Sequence, residues 1–248
     1  MACLSPRTTH FHTSTRVHVC THAHAGPFTW QSGENIYGQT FVCMSLDFPA
    51  NGGDVETVAQ HMLYIKPNTY FQNIAASAQT QSPSLGLVVN KKWVFAPGTW
   101  HKRFTPSTSR MYFDTFGKNT NWNDDLWGDL VAPFYSSGLI VESWIRGQAL
   151  GPYCPKKDKT HPYEVVDAQT LSVGSTQFSE TNDHAKWAIT TGSAAPNIVC
   201  IGDINRMTSQ RKRGGGAVCL LSSNLAAALK ATVATSDSCD KMNITYDL

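Results

Sequence analysis

Three short apolar runs in the C-terminal part of the chain, residues 186–190, 198–201 and 217–221, most constrain its fold: each is short, apolar and strand-like. Cys200 lies in the second run and Cys219 in the third, while Cys154 and Cys239 enclose the whole region. This nested placement suits two disulfides, Cys200–Cys219 and Cys154–Cys239, formed in an oxidising compartment. Cysteine number adds nothing, since seven is odd, and no Cys-x-x-Cys pair suggests structural zinc.

Upstream, residues 37–46 read as a strand and 55–61 as a short helix. Residues 85–89 and 93–96 read as two strands around an Asn90-Lys91-Lys92 turn. An Asn-Asp start and Leu126, Trp127, Leu130, Val131 and Phe134 at helical spacing predict a helix over 124–135, followed by strands over 138–145 and 164–173. An alanine-rich helix over 225–234, capped by Ser223 or Asn224, closes the pattern. Strands interspersed with helices predict an α/β fold, a mixed β-sheet flanked by helices.

With 248 residues, 41% hydrophobic and 15% charged, the chain can bury a substantial core. A net charge of +2 excludes a general polyanion binder, so any nucleic-acid affinity must come from local clusters. Protonating all nine histidines would raise it to +11, but His10, His12, His18, His22 and His24 sit in the first 26 residues, so the body gains little. No run is long enough for a membrane span, and no membrane partner is expected. The N-terminus lacks the basic start and apolar core of a secretory signal.

Residues 1–27 differ from the rest in their Thr-His, Val-His-Val-Cys and His-Ala-His-Ala repeats and are expected to be disordered and non-native. Such alternation is what translation of a CA/GT dinucleotide repeat would give. His22-Ala23-His24 is a weak metal-ligand pattern because no further ligands or fixed turn surround it. A globular domain is expected over 28–248, with no internal linker or repeat.

The chemistry concentrates around Asp183-His184-Ala185-Lys186-Trp187. If this segment is extended, the imidazole of His184 and the ammonium of Lys186 share one face, a pair that can hold a phosphate and attack it. After the next strand, Asp203 and Asn205 also share a face. A carboxylate beside an imidazole fixes its tautomer, and a carboxamide donates to a phosphate oxygen without adding a competing charge. Gln210-Arg211-Lys212-Arg213-Gly214-Gly215-Gly216 then offers three cations to steer polyphosphate and glycines that let backbone N–H groups approach it. The bland alternative is a solvated basic loop. Trp122, Trp127, Trp144 and Trp187 could stack on bases, but their spacing favours core packing.

These residues carry a resemblance. Asp183–Trp187, Cys200-Ile-Gly-Asp-Ile-Asn-Arg206 and Arg213-Gly-Gly-Gly-Ala-Val-Cys219 resemble the C-terminal signature of deoxyribonuclease II, an acid endonuclease family with a phospholipase D-like fold. Tyr37–Cys43 is similar to the family's mid-chain strand, and 116–127 with Trp144 to its helix and following strand, so the similarity runs from about residue 28 to 239. It implies metal-independent hydrolysis of DNA at acid pH, without a cofactor, leaving 3'-phosphate ends in DNA catabolism, and a lysosomal location. In such enzymes two His-x-Lys motifs, one from each half of a pseudo-dimer, face one phosphate; one histidine becomes phosphorylated and the other protonates the leaving oxygen. Carried over, His184, Lys186, Asn205 and Asp203 form the catalytic set, with Arg206, Arg211, Lys212, Arg213, Gly214 and Gly215 at the DNA.

The family's first motif, Gly-His-Thr-Lys-Gly, has no counterpart here, since the only His-x-Lys is at 184–186. The resemblance therefore implies the second half of a pseudo-dimer plus part of the first, from a chain truncated or mis-assembled at its N-terminus. Cys43 resembles a cysteine whose partner lies in the absent half and is expected to be unpaired. Asn243-Ile244-Thr245 is a glycosylation sequon, consistent with secretory passage. Three readings follow: an acid DNase, a catalytically inactive nucleic-acid-binding fragment, and a homodimer pairing His184 with its symmetry mate.

Overall fold

The computed structural model describes residues 2–7, 15–21, 37–38, 40, 42–48, 53–67, 71–72, 74–106 and 110–239. Within the stretch expected to be disordered, Ala2–Arg7 (β1) and Thr15–Thr21 (β2) form an antiparallel pair. The alternation of Thr15, Val17, Val19 and Thr21, which suggested a translated repeat, is also a period-2 β-branched pattern. Val42–Phe48 (β3) pairs with β2 and Phe71–Gln72 (β4) with β1, giving a sheet of order β3-β2-β1-β4. The strand expected over 37–46 thus begins at Val42, with Gly38 contributing one isolated bridge.

The main sheet has nine strands. Its path runs β13-β8-β7-β10-β11-β12-β6-β5, with β9 on β8: Thr99–Phe104 (β5), Phe113–Lys118 (β6), Leu139–Ser143 (β7), Val165–Val173 (β8), Thr176–Ser179 (β9), Lys186–Thr190 (β10), Ile198–Gly202 (β11), Gly215–Leu221 (β12) and Val233–Ser236 (β13). The sheet is mixed, because β7 and β8 run parallel while its other pairs are antiparallel. Alternation along β12 separates its two faces. Ala217 and Cys219 join a core with Leu126 and Trp127, whereas Val218 joins Val55, Val58 and Met62 of Gly53–Ile65 (α1). On β10, Ala188 points to the first of these cores, and Trp187 and Ile189 pack with Ala226 of Ser223–Thr232 (α5). The expected α/β architecture, a mixed sheet flanked by helices, is present.

Local departures have physical causes. Residues 85–89 belong to a helix, Pro83–Val89 (α3), which follows Ala76–Gln81 (α2). Pro83 starts α3 and Ser82 caps it by accepting from Leu85 N at 3.3 Å, while Glu56 of α1 accepts from Ser82 Oγ at 2.6 Å. A short apolar run suits a buried strand or a helix equally, and here the Ser-Pro start decides. Residues 93–96 lie outside any strand, and the neighbouring strand β5, at the sheet edge, carries only Trp100 and Phe104 as apolar residues, with Lys102 between them on the same face. The helix expected over 124–135 begins as a π-helical turn, Leu126–Val131, capped by the Asp125 carboxylate, and continues as Ala132–Tyr135 (α4). The cap of α5 is Ser222, one residue before the expected pair.

Both expected disulfides are formed. Cys200–Cys219 joins facing residues of β11 and β12, and Cys154–Cys239 ties the 154–161 loop to the segment after β13. Cys43 lies in β3 with its backbone opposite Cys20, but its side chain, like Asn243, is outside the described residues.

Candidate active site

Four strand ends meet at one rim of the main sheet: β10 begins at Lys186, β11 ends at Gly202, β12 begins at Gly215 and β6 ends at Lys118. The register places Gly202 opposite Ala217 and Gly215 opposite Lys118. Asp203, one residue beyond β11, is pinned to this rim: its N–H donates to Gly216 O at 3.1 Å and its Oδ1 accepts from Gly216 N at 2.7 Å. Its negative charge favours the protonated forms of Lys186, Lys118 and His61, making it the electrostatic hub of the rim.

Lys186 is buried, and its ammonium donates to the carbonyl oxygen of His184, bringing the two motif residues into contact. Burial pushes its pKa down to about 8 against the pull of Asp203 and Asp183, with Arg213 adding to the depression. It therefore remains a cation in acid and at neutrality. The buried Asp183 carboxylate accepts from Ala185 N at 2.9 Å, and burial raises its pKa. Gly38 forms a parallel bridge with Asp183 and accepts from His184 N at 2.9 Å; a Cβ there would meet Asp183 Oδ1 at 2.4 Å, so only glycine allows this approach. The His184 ring is half-buried, edge-to-face with Trp144 at 4.3 Å between centroids and 6.0 Å from Tyr37.

Asn205 is buried with its Oδ1 lacking a hydrogen-bond partner among the described residues. Ile204, between Asp203 and Asn205, enters the core and its carbonyl accepts from Trp127 Nε1 at 3.0 Å, the alternation expected of an extended segment.

The expected DNA contacts are only partly available. Arg206 is wholly buried and cannot reach DNA. It pairs with Asp125 at 3.1 Å and Asp167 at 2.7 Å, donates to Gly151 O at 2.9 Å and lies over the Tyr153 ring. Two carboxylates far away in sequence claim it. Gly214 and Gly215 are also buried; added Cβ atoms would meet Ile65 O at 2.8 Å and Ile204 Cδ1 at 2.3 Å. The glycines let α1 and the core approach β12 closely, and they form no open phosphate cradle. Arg211, in a 3-10 turn over Thr208–Lys212, is held by Asp124 at 2.6 Å, whereas Lys212 and Arg213 are exposed.

Sequence reasoning missed Lys118, whose buried ammonium donates to Arg211 O and Arg213 O at 2.7 Å each and so shapes the basic loop. It also missed His61, buried on α1 against Thr115, with its pKa lowered to about 4 by burial. Lys118 had one sequence signal, its place two residues after Phe116 on the same strand face; His61 had only its helical spacing. Among the described residues no three His, Cys, Asp or Glu side chains gather as a metal site, and no helix is long and apolar enough to cross a membrane.

Fold and rim together define an α/β protein whose His184-Ala185-Lys186 segment lies at the strand ends of a mixed sheet. The sequence model of the family described as Deoxyribonuclease II matches residues 11–239. The chain is 37% identical to a candidate deoxyribonuclease-2 of Burkholderia thailandensis over 74% of its own length and 50% of the relative's. It is 33% identical to Deoxyribonuclease-2 of Caenorhabditis elegans over 82% and 52%, and 28% identical to Deoxyribonuclease-2-alpha of Bos taurus over 91% and 59%. The chain belongs to the deoxyribonuclease II family, and it spans about half the length of the curated relatives it matches.

Proposed function

We propose that this chain supplies the His184 half of an acid endodeoxyribonuclease that hydrolyses DNA phosphodiesters without a metal, in DNA catabolism within the lysosome. The observation that carries the proposal is the contact of His184 with the buried cation Lys186 on a rim organised by Asp203. In the proposed reaction Lys186 and Asn205 hold the scissile phosphate. One histidine ring nitrogen bonds to phosphorus as the bond to the 5'-oxygen breaks, and a second, protonated histidine gives its proton to that oxygen. Water then releases the 3'-phosphate from the phosphohistidine. His184 is one of the two histidines; the other comes from a complementary half with its own His-x-Lys. Acid pH keeps the proton donor charged, since a histidine starts near pKa ~6.5. Lys212 and Arg213 attract the polyanion.

The single His-x-Lys favours a second reading, in which these 248 residues alone bind nucleic acid and cut little. A form carrying both motifs is expected to nick plasmid DNA near pH ~5 in EDTA and to lose that activity with His184→Ala; persistent cutting by the variant would sink the assignment. For the 248-residue chain, activity rising with the square of its concentration would point instead to a homodimer.

A further inference from the structure

We infer that Arg146, Trp144 and Tyr37 form a nucleobase-binding subsite beside His184, an inference that rests on the nuclease reading for its ligand class. Trp144 belongs to none of the three apolar core clusters and is half-buried, unlike Trp127 and Trp187, which are in the core. Its ring touches the His184 ring edge-to-face at 4.3 Å. The exposed Arg146 guanidinium lies 4.8 Å from the Trp144 ring centroid and 5.3 Å from that of Tyr37. One carbonyl fixes the group: Thr181 O accepts from Trp144 Nε1 at 2.9 Å and from Arg146 Nε and Nη2 at 3.2 and 3.0 Å. Thr181 sits in the 3-10 turn just before Asp183 and His184, so the platform and the reacting imidazole are carried by the same short segment.

A planar cation held over aromatic rings at the surface is suited to stacking a base, and stacking is tolerant of base identity because every base has a π-face. Placed next to His184, the platform takes the base of the nucleotide adjoining the scissile phosphate. A base paired within a duplex cannot stack there, so the subsite favours single-stranded or locally opened DNA.

The test uses the full chain and two ligands that cannot be hydrolysed further by this chemistry, deoxyadenosine 3'-phosphate and its abasic counterpart 1,2-dideoxyribose 3-phosphate, titrated at acid pH. The nucleotide is expected to bind about 5- to 150-fold tighter, the range that stacking of one base provides. Arg146→Lys keeps the charge and removes the plane, so it should leave abasic binding intact and collapse the ratio towards one. Trp144→Leu should do the same and Trp144→Phe should restore most of the ratio; an unchanged melting temperature for the exposed Arg146→Lys variant excludes loss of fold. Equal binding of both ligands by the unmodified chain, a ratio unmoved by Arg146→Lys, or no binding of either ligand would overturn the subsite. A base-dependent ratio that responds to these variants, together with no cleavage by any form of the protein, would leave the subsite standing and refute the nuclease reading.

Discussion

Glu142 gives a prediction whose sign is opposite to ordinary acid denaturation. It is the penultimate residue of β7, is fully buried, and neither carboxyl oxygen has a hydrogen-bond partner among the described residues. Burial first, then the charges of Asp183, Glu180 and Asp167, push its pKa from 4.5 up to about 9, with Lys186 pulling the other way. Between those two values the folded protein keeps the proton and the unfolded chain releases it. Stability should therefore fall as pH rises through this window, by ~1.4 kcal/mol per pH unit. Below about pH 4.5 the penalty is absent; at pH 7 it amounts to roughly 3 kcal/mol. Glu142→Gln has the same shape and no ionisation, so its stability advantage over the unmodified protein should be near zero at pH ~4.5 and grow to ~3 kcal/mol at pH ~7. Urea unfolding followed by tryptophan fluorescence at several pH values measures this directly. A stability difference that stays flat with pH, or a glutamine variant less stable at neutrality, would refute the assignment of a neutral buried carboxyl.

Three further predictions concern the framework behind the rim. Arg206→Met leaves Asp125 and Asp167 buried and unpaired and should cost about 3–5 kcal/mol, with Arg206→Lys recovering little because one ammonium cannot replace the directional contacts; thermal melts of both variants check this. Gly216→Ala would bring a Cβ to 2.1 Å from Phe116 O and 2.4 Å from His61 Nε2, so it should lower the melting temperature sharply, and a neutral outcome would show that α1 is not seated against β12 as described. Removing Cys200–Cys219, which closes 19 residues, should cost roughly 3 kcal/mol, and removing Cys154–Cys239, which closes 85, roughly 4–5 kcal/mol in the chain-entropy treatment; denaturant midpoints of the two double variants should keep that order.

The same framework shows why some of this molecule was legible in its sequence and some was not. Strands β10, β11 and β12 announce themselves because their apolar residues are dense and their ends are marked by polar or glycine-rich segments, and the cysteine placement follows from their pairing. Strand β5 does not, since an edge strand can carry Thr-Trp-His-Lys-Arg without violating any burial rule. Helix α3 was ambiguous from periodicity alone and was decided by Ser82, whose hydroxyl is itself held by Glu56, 26 residues earlier.

The basic segment shows the deeper difficulty. A run of Arg-Lys-Arg-Gly-Gly-Gly describes a phosphate cradle as well as it describes a packed strand entrance, because glycine permits close approach by a ligand and by a neighbouring helix alike. What separates them is Ile65 of α1 packed against Gly214, Ile204 of the core packed against Gly215, and the buried Lys118 ammonium bonded to the loop carbonyls, with α1 and β6 far away in sequence. Arg206 fails for the same reason: the resemblance placed it at the DNA, while its energetics are set by Asp125 and Asp167, 81 and 39 residues away. The proximity of His184 and Lys186 was legible because the two are neighbours along one segment, so their contact needs no long-range closure. Contacts between near neighbours on a strand end survive reading from sequence; polar burial, which needs partners from several elements at once, emerges only when the sheet has brought them together.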